Sequence, residues 1–294
     1  MLLRHAPESP AISVASGNPQ VTMVRGNFRL ADDAVAAAPL SRAEVESERR
    51  VTLSSSDSAA RVAVERQGAR LTVTALSGQD RITIDLALEP GDVLWGGGEQ
   101  MSYLVLNGRN FPIWTSEPGV GREPGTHLTD QASADGSFAG GDYWTTNYPE
   151  PTVLCSGGWA LSLANAEYVE LDAREEGTLR IHVWSGEVVI DLFEGAPASL
   201  VRQLGERFGP RAALPDWALG GAVVGLKQGE ASFERLEMLV DAGAAISGLW
   251  CEDWVGIRET SFGRRLFWDW QWNADRYPDL PARIAALKAR GIRF

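Results

Sequence analysis

Cysteine is scarce in this 294-residue chain: Cys155 and Cys251 are the only two. That excludes a disulfide framework and makes a reducing compartment the default expectation. Histidine is also sparse, and His5, His127 and His182 are scattered without metal-ligand spacing. A His-centred zinc site or a Ser-His-Asp triad has little to build on, and neither a metal nor a cofactor is expected. Basic charge is in deficit, with 27 Lys+Arg against 39 Asp+Glu and a net charge of −12. Nucleic acid and anionic membrane surfaces are poor partners for such a balance. No apolar run is long enough to span a bilayer, and the start MLLRHAPESP has no h-region or cleavage signature. These absences together lead to the expectation of a cytoplasmic protein.

The composition that remains is globular, with 44% hydrophobic and 22% charged residues. Its charge is uneven. From Trp217 to Phe294 there are ten Lys/Arg and ten Asp/Glu, so the whole excess of acid lies upstream. An anion-binding site is therefore sought in the neutral C-terminal part.

Residues 1–205 read as all-β. Period-two alternation runs through Leu71 to Ala75 and Ile82 to Leu86, with Gln67-Gly68 and Ser77-Gly78 as turns. Trp159 to Leu163, Tyr168 to Leu171, Leu179 to Trp184 and Val188 to Phe193 continue the pattern, which predicts a β-sandwich. The stretch from Gly96 to Pro151 is rich in Gly, Pro, Thr and aromatics, and a connection that long is functional or hides short strands. Its GGGEQ segment, Gly96 to Gln100, lacks the Lys-Ser/Thr of a phosphate loop and reads as a tight turn or close-packed strand end. A short helix over Ala198 to Phe208, apolar at Leu200, Val201, Leu204 and Phe208, precedes Gly209-Pro210 and Leu214-Pro215. That punctuation predicts a domain boundary, dividing the chain into 1–210 and 211–294.

Beyond it the period changes. Ala218 to Leu226 and Ile246 to Cys251 read as strands buried on both faces. Between them lies a helix with Ser232 as N-cap and Gly243 at its end. Asp279 caps a second helix closed by Gly291, and Ile292 to Phe294 begins a third apolar run. The pattern is parallel α/β, either a doubly wound sheet or the first part of a truncated (β/α)8 barrel. Three strands do not close a barrel of eight, so the chain reads as a fragment.

Functional groups in such folds gather at the C-terminal ends of strands. Lys227 directly follows the first strand and Glu252 the second. Such a pair is either a plain rim ion pair or a donor and acceptor for sugar hydroxyls. Arg265 and Trp268 lie in TSFGRRLFWDWQW, and a guanidinium fork beside an indole N–H suits an oxyanion. Trp250, Trp254, Trp268, Trp270 and Trp272 crowd the same stretch, and core packing is the expected role for most of them. Arg264 reads as solvated. Glu99, Glu117, Asp142, Asp253 and Asp269 are conceivable acids, but no pair can be set at a glycosidase spacing from sequence, and each reads as structural.

Several longer motifs carry a resemblance. WTSEPGVGR (Trp114 to Arg122), GGDYWTTNYP (Gly140 to Pro149), ALPDW (Ala213 to Trp217), GLKQG (Gly225 to Gly229), GLWCEDWVGIR (Gly248 to Arg258) and TSFGRRLFWDWQWN (Thr260 to Asn273) resemble the α-sulfoquinovosidases of glycoside hydrolase family 31. The resemblance implies an N-terminal, galactose-mutarotase-like β-sandwich followed by a (β/α)8 catalytic barrel. It implies retaining hydrolysis of α-sulfoquinovosides such as sulfoquinovosyl glycerol, so the expected partner is a small sulfonated sugar glycoside. By that likeness Arg265 and Trp268 contact the sulfonate, and Lys227 with Glu252 serves the 4-hydroxyl. The nucleophile and acid/base aspartates fall beyond Phe294, so no catalytic residue is assigned and the isolated chain is expected to be inactive. The alternatives are a family 31 α-glucosidase on a neutral α-glucoside, or a non-catalytic carbohydrate-binding module.

Overall fold

A computed structural model describes residues 3–34, 36–119, 121–261 and 263–294. Val120 of the Trp114-to-Arg122 motif and Phe262, just before Arg265, lie outside the described residues. The chain divides into two compact units, Met1–Gly209 and Pro210–Phe294.

The first unit is built on two antiparallel sheets. One has six strands in the order Asn110–Ile113, Val169–Asp172, Thr178–Val183, Arg81–Ala87, Ile12–Ala15, Ala38–Pro39. The other has eight: Leu94–Gly98, Pro149–Cys155, Trp159–Leu163, Glu187–Glu194, Arg70–Ala75, Arg61–Gln67, Arg50–Ser54, Arg42–Ser47. Alternation decides which side chains enter the space between them. Ile82, Ile84 and Leu86 from one sheet and Leu71, Val73, Val188 and Ile190 from the other join a single buried cluster. The expected sandwich is therefore what forms. A separate hairpin, Pro19–Val24 with Asn27–Asp32, is largely exposed.

The long Gly96-to-Pro151 stretch does hide short elements, namely Asn110–Ile113 and the helix His127–Ala132. Its GGGEQ segment ends a strand pressed against Pro149–Cys155, with a register shift between Gly96 and Gly98. A Cβ at Gly96 would lie 2.0 Å from the Thr152 carbonyl oxygen, so only glycine fits there. The helix Pro197–Phe208 buries Leu200 and Leu204 against Ala160 and Phe193. Val201 and Phe208, expected on the same apolar face, are exposed.

In the second unit, strands Ala222–Leu226 and Ile246–Cys251 pair in parallel around the helix Ala231–Asp241. Arg293 extends the ladder: its amide donates to Ser247 O and its carbonyl accepts from Leu249 N. The chain thus combines a mainly β part with the strand-helix-strand beginning of a parallel α/β layer.

Four local expectations are corrected. Residues 218–219 belong to the short helix Asp216–Leu219, where Asp216 favours the helix N-terminus, rather than to the strand. The Ala222–Leu226 strand is not buried on both faces, because the helices reach Leu249 and Cys251 while Val223 and Trp250 open into a cavity of about 960 Å³. Ser232 is not the N-cap; the helix starts at Ala231, and the buried Ser232 Oγ instead accepts from the Gln228 amide at 3.0 Å. Asp279 does occupy an N-cap position, but in a left-handed conformation and without a side-chain capping bond. Gly243, at φ 84°, follows the Ala231–Asp241 helix as expected. No described helix is long and apolar enough to cross a membrane.

Candidate substrate-binding site

Register sets the first pair of groups. Leu226 and Cys251 are direct partners in the parallel ladder, so the next residues, Lys227 and Glu252, leave the strands at the same level. Lys227 Nζ lies 3.6 Å from Glu252 Oε2, with side chains 72% and 38% exposed. An ion pair this open contributes little to stability, roughly 0–1 kcal/mol, which leaves both groups available to a ligand.

The hairpin Ile257–Thr260 with Gly263–Leu266 supplies the next wall, pairing Arg258 with Arg265 and Glu259 with Arg264. Arg265 Nη1 donates to the Arg264 carbonyl at 3.0 Å, which holds the guanidinium back along its own strand. Lys227, Glu252, Arg264, Arg265 and Arg276 line one open recess of about 440 Å³, floored by Ile257 and Leu266. Of the four cationic side chains there, Lys227 is paired with Glu252, Arg264 with Glu259 and Arg276 with Asp253, while Arg265 has no ion pair among the described residues, so the recess keeps a positive balance that attracts an anion. Lys227 and Glu252 also border a smaller recess of about 190 Å³ with Trp250.

Three of the four sequence-predicted residues thus converge. Trp268 is not among those lining the recess; it is 56% exposed and lies beside Trp270, with ring centroids 6.0 Å apart and planes tilted by 41°. Arg264, read as solvated, does line the recess while pairing with Glu259 at 3.3 Å. The tryptophans correct another expectation, since Trp250, Trp268, Trp270 and Trp272 are all exposed and only Trp254 packs against the buried cluster. Trp250 and Trp272 both border the large open cavity.

Beneath the recess lies a network that sequence reasoning missed as a unit. Asp253 is fully buried and accepts hydrogen bonds from Arg276 Nε at 2.6 Å, Gly229 N at 3.2 Å and the Tyr277 hydroxyl. Burial, reinforced by the Asp253 carboxylate, holds the Tyr277 phenol well above its ordinary value. Arg276 also reaches the Lys227 carbonyl at 3.5 Å. The segment after one strand is in this way tied to the segment after the other, which fixes the spacing of Lys227 and Glu252. The signal that could have found it is the Asp directly beyond a strand end and the Arg-Tyr before the last helix, but only the tertiary fold joins them.

Asp253 is therefore committed to structure, as expected. Of the other weighed acids, Asp142 accepts the Tyr143 amide at 2.7 Å and Asp269 the Gln271 amide at 3.1 Å, while Glu99 and Glu117 are exposed. Among the described residues no group of three or more His, Cys, Asp or Glu could hold a metal ion.

The fold of this chain is shared with solved structures of glycoside hydrolases of family 31. The structure of a GH31 sulfoquinovosidase from E. rectale, in complex with the aza-sugar inhibitor IFGSQ, matches all of this chain with a TM-score of 0.88 at 35% identity, over 44% of its own length. By sequence the chain is homologous along its whole length to sulfoquinovosidases. It is 45% identical to the enzyme of Agrobacterium fabrum over 297 residues and 34% identical to that of Escherichia coli over 311. It spans 44% and 45% of the length of these two relatives. No protein-family model matches it.

Proposed function

We propose that this chain carries the sugar-recognition part of a retaining α-sulfoquinovosidase acting on α-sulfoquinovosides such as sulfoquinovosyl glycerol. In this reading residues 1–210 are the galactose-mutarotase-like sandwich and residues 211–294 open the (β/α)8 catalytic barrel. The observation that carries it is the convergence of Lys227, Glu252 and Arg265 on one recess with a net cationic lining.

The chemistry follows from the groups. A sulfonate is ionised at every physiological pH, so a guanidinium that never titrates is a suitable partner, and Arg265 takes that role. The exposed indole N–H of Trp268 adds a neutral donor once ligand is present. Lys227 donates to, and Glu252 accepts from, the sugar 4-hydroxyl, and their 3.6 Å contact lets one hydroxyl bridge both. Retention requires two carboxyl groups about 5–5.5 Å apart, one as nucleophile and one as acid/base. No such pair is assigned among these residues, so the chain by itself binds without turning over.

The test is incubation of the purified chain with an aryl α-sulfoquinovoside. No release of the aryl alcohol is expected, together with saturable binding of sulfoquinovose by the chain. Turnover by the chain alone would overturn the division of labour. A family 31 α-glucosidase acting on a neutral glucoside would leave the Arg265 guanidinium without a ligand charge to meet.

A further inference from the structure

The Met1–Gly209 unit contains a recess of its own, about 450 Å³ in volume. This is within the size range of small-molecule sites, roughly 300–1,000 Å³. Its aromatic wall is a chain of edge-on rings: Phe28 stands 6.3 Å from Trp114 at 71°, and Trp114 stands 6.5 Å from Tyr168 at 61°. Phe138 closes another side, with the Arg29 guanidinium 3.8 Å from its ring centroid.

The polar groups are oriented by hydrogen bonds within the unit. Glu170 accepts from the Tyr168 hydroxyl at 2.9 Å and from Asn110 Nδ2 at 3.0 Å. Asp142 uses Oδ1 for the Tyr143 amide, and Asp130 uses Oδ1 for the Gly125 amide at 3.2 Å. The loop that carries these residues is closely packed. A Cβ on Gly119 would lie 2.2 Å from the Gly140 carbonyl oxygen, and one on Gly140 would lie 2.3 Å from the Thr129 carbonyl oxygen. Phe138 is held at φ 60°, an unusual backbone for a bulky side chain that persists only where the surroundings over-determine it.

Charge narrows the class of ligand. Asp130, Asp142 and Glu170 against Arg29 give the lining a net charge of −2, the opposite sign to the Lys227/Arg265 recess. An anionic sugar is disfavoured here. Arg29 already covers the Phe138 face, so a cation would meet a guanidinium on that side, and each carboxylate already accepts a hydrogen bond from the protein. What remains is a neutral polyol: hydroxyls donate to the carboxylates and accept from Arg29, while sugar C–H faces lie against indole and phenyl rings. We propose that this recess binds an uncharged hexopyranoside, giving the sandwich unit a carbohydrate subsite of its own.

The test is titration of the whole chain with methyl α-D-glucopyranoside, followed by saturation-transfer NMR and tryptophan fluorescence. Saturable binding is expected. Asp142→Asn keeps an oxygen for the Tyr143 amide and should weaken binding by about fivefold or more, as loss of a hydrogen bond to a charged group implies. Should that variant lose its thermal transition, the exposed Arg29→Gln serves instead with the same expected loss. Arg265→Ala should leave glucoside binding unchanged, which separates this test from that of the proposed function. The proposal is overturned by absence of saturation, by equal binding of sulfoquinovose at the same Asp142-sensitive site, by tetramethylammonium saturating where the glucoside does not, or by sensitivity to Arg265→Ala with none to Asp142→Asn.

Discussion

Lys227 and Glu252, 25 residues apart in sequence, face each other at 3.6 Å because the residues before them, Leu226 and Cys251, are partners in a parallel ladder. A binding pair built on register is insensitive to its own ion-pair energy. A double-mutant cycle with Lys227→Ala and Glu252→Ala, read by urea unfolding, should give a coupling of about 0–1 kcal/mol. The same substitutions should each weaken sulfoquinovose binding, so stability and affinity separate at this pair.

Asp253 should behave in the opposite way. Its carboxylate is buried and bonded to Arg276, Tyr277 and the Gly229 amide. Asp253→Ala leaves the half-buried Arg276 guanidinium and the buried Tyr277 hydroxyl without their acceptor and should destabilise the second unit by about 1–3 kcal/mol, measured by urea unfolding. Loss below about 1 kcal/mol would mean that the network does not hold the recess.

The two thiols give a chemical check on the core. Burial pushes the Cys155 thiol up to about 11 and raises that of Cys251. Thiolate is the reactive form, so neither should be alkylated by iodoacetamide at pH 8 in the native protein. Both should react fully in urea, as counted by mass spectrometry.

Acid should destabilise the sandwich in two windows. Burial depresses the His182 imidazole, so the folded state resists its protonation and stability falls as pH drops below the ordinary histidine value toward the lower folded one. Hydrogen bonds from Arg70 and Arg207 hold Asp191 below its ordinary value, and the Arg81 guanidinium does the same for Asp32. Their contribution is complete above the usual aspartate pKa and is lost as pH falls through the depressed one. His182→Gln should flatten the upper window of a urea-midpoint-versus-pH curve and leave the lower one intact.

Much of the fold was legible because alternation is a local signal. The strand Arg81–Ala87 buries Ile82, Ile84 and Leu86, and those residues already alternate in the sequence. The Ala231–Asp241 helix was legible in outline, but its start was not. Ser232 reads as a cap from its type alone, whereas in the fold it is buried within 3.5 Å of the Tyr277 hydroxyl. Burial of the tryptophans could not be read at all: Trp250 lies on the strand Ile246–Cys251 and is exposed, whereas Trp254, in the tight turn Glu252–Val255 just after it, packs against the buried cluster. At the recess, the positions of Lys227 and Glu252 follow from strand ends. Arg276 joins them through Asp253 and the Lys227 carbonyl, contacts across 23 and 49 residues that no periodicity encodes.

The most direct test is a comparison of sulfoquinovose and glucose binding by the chain and its Arg265→Ala variant, with thermal melts as the control for folding. Selective binding of the sulfonated sugar is expected. Arg265→Ala should weaken it by about 1.5–3 kcal/mol, or roughly 10- to 150-fold, without changing the melting temperature or the weaker binding of glucose. Equal affinity for the two sugars, or an unchanged affinity for sulfoquinovose after Arg265→Ala, would contradict the account.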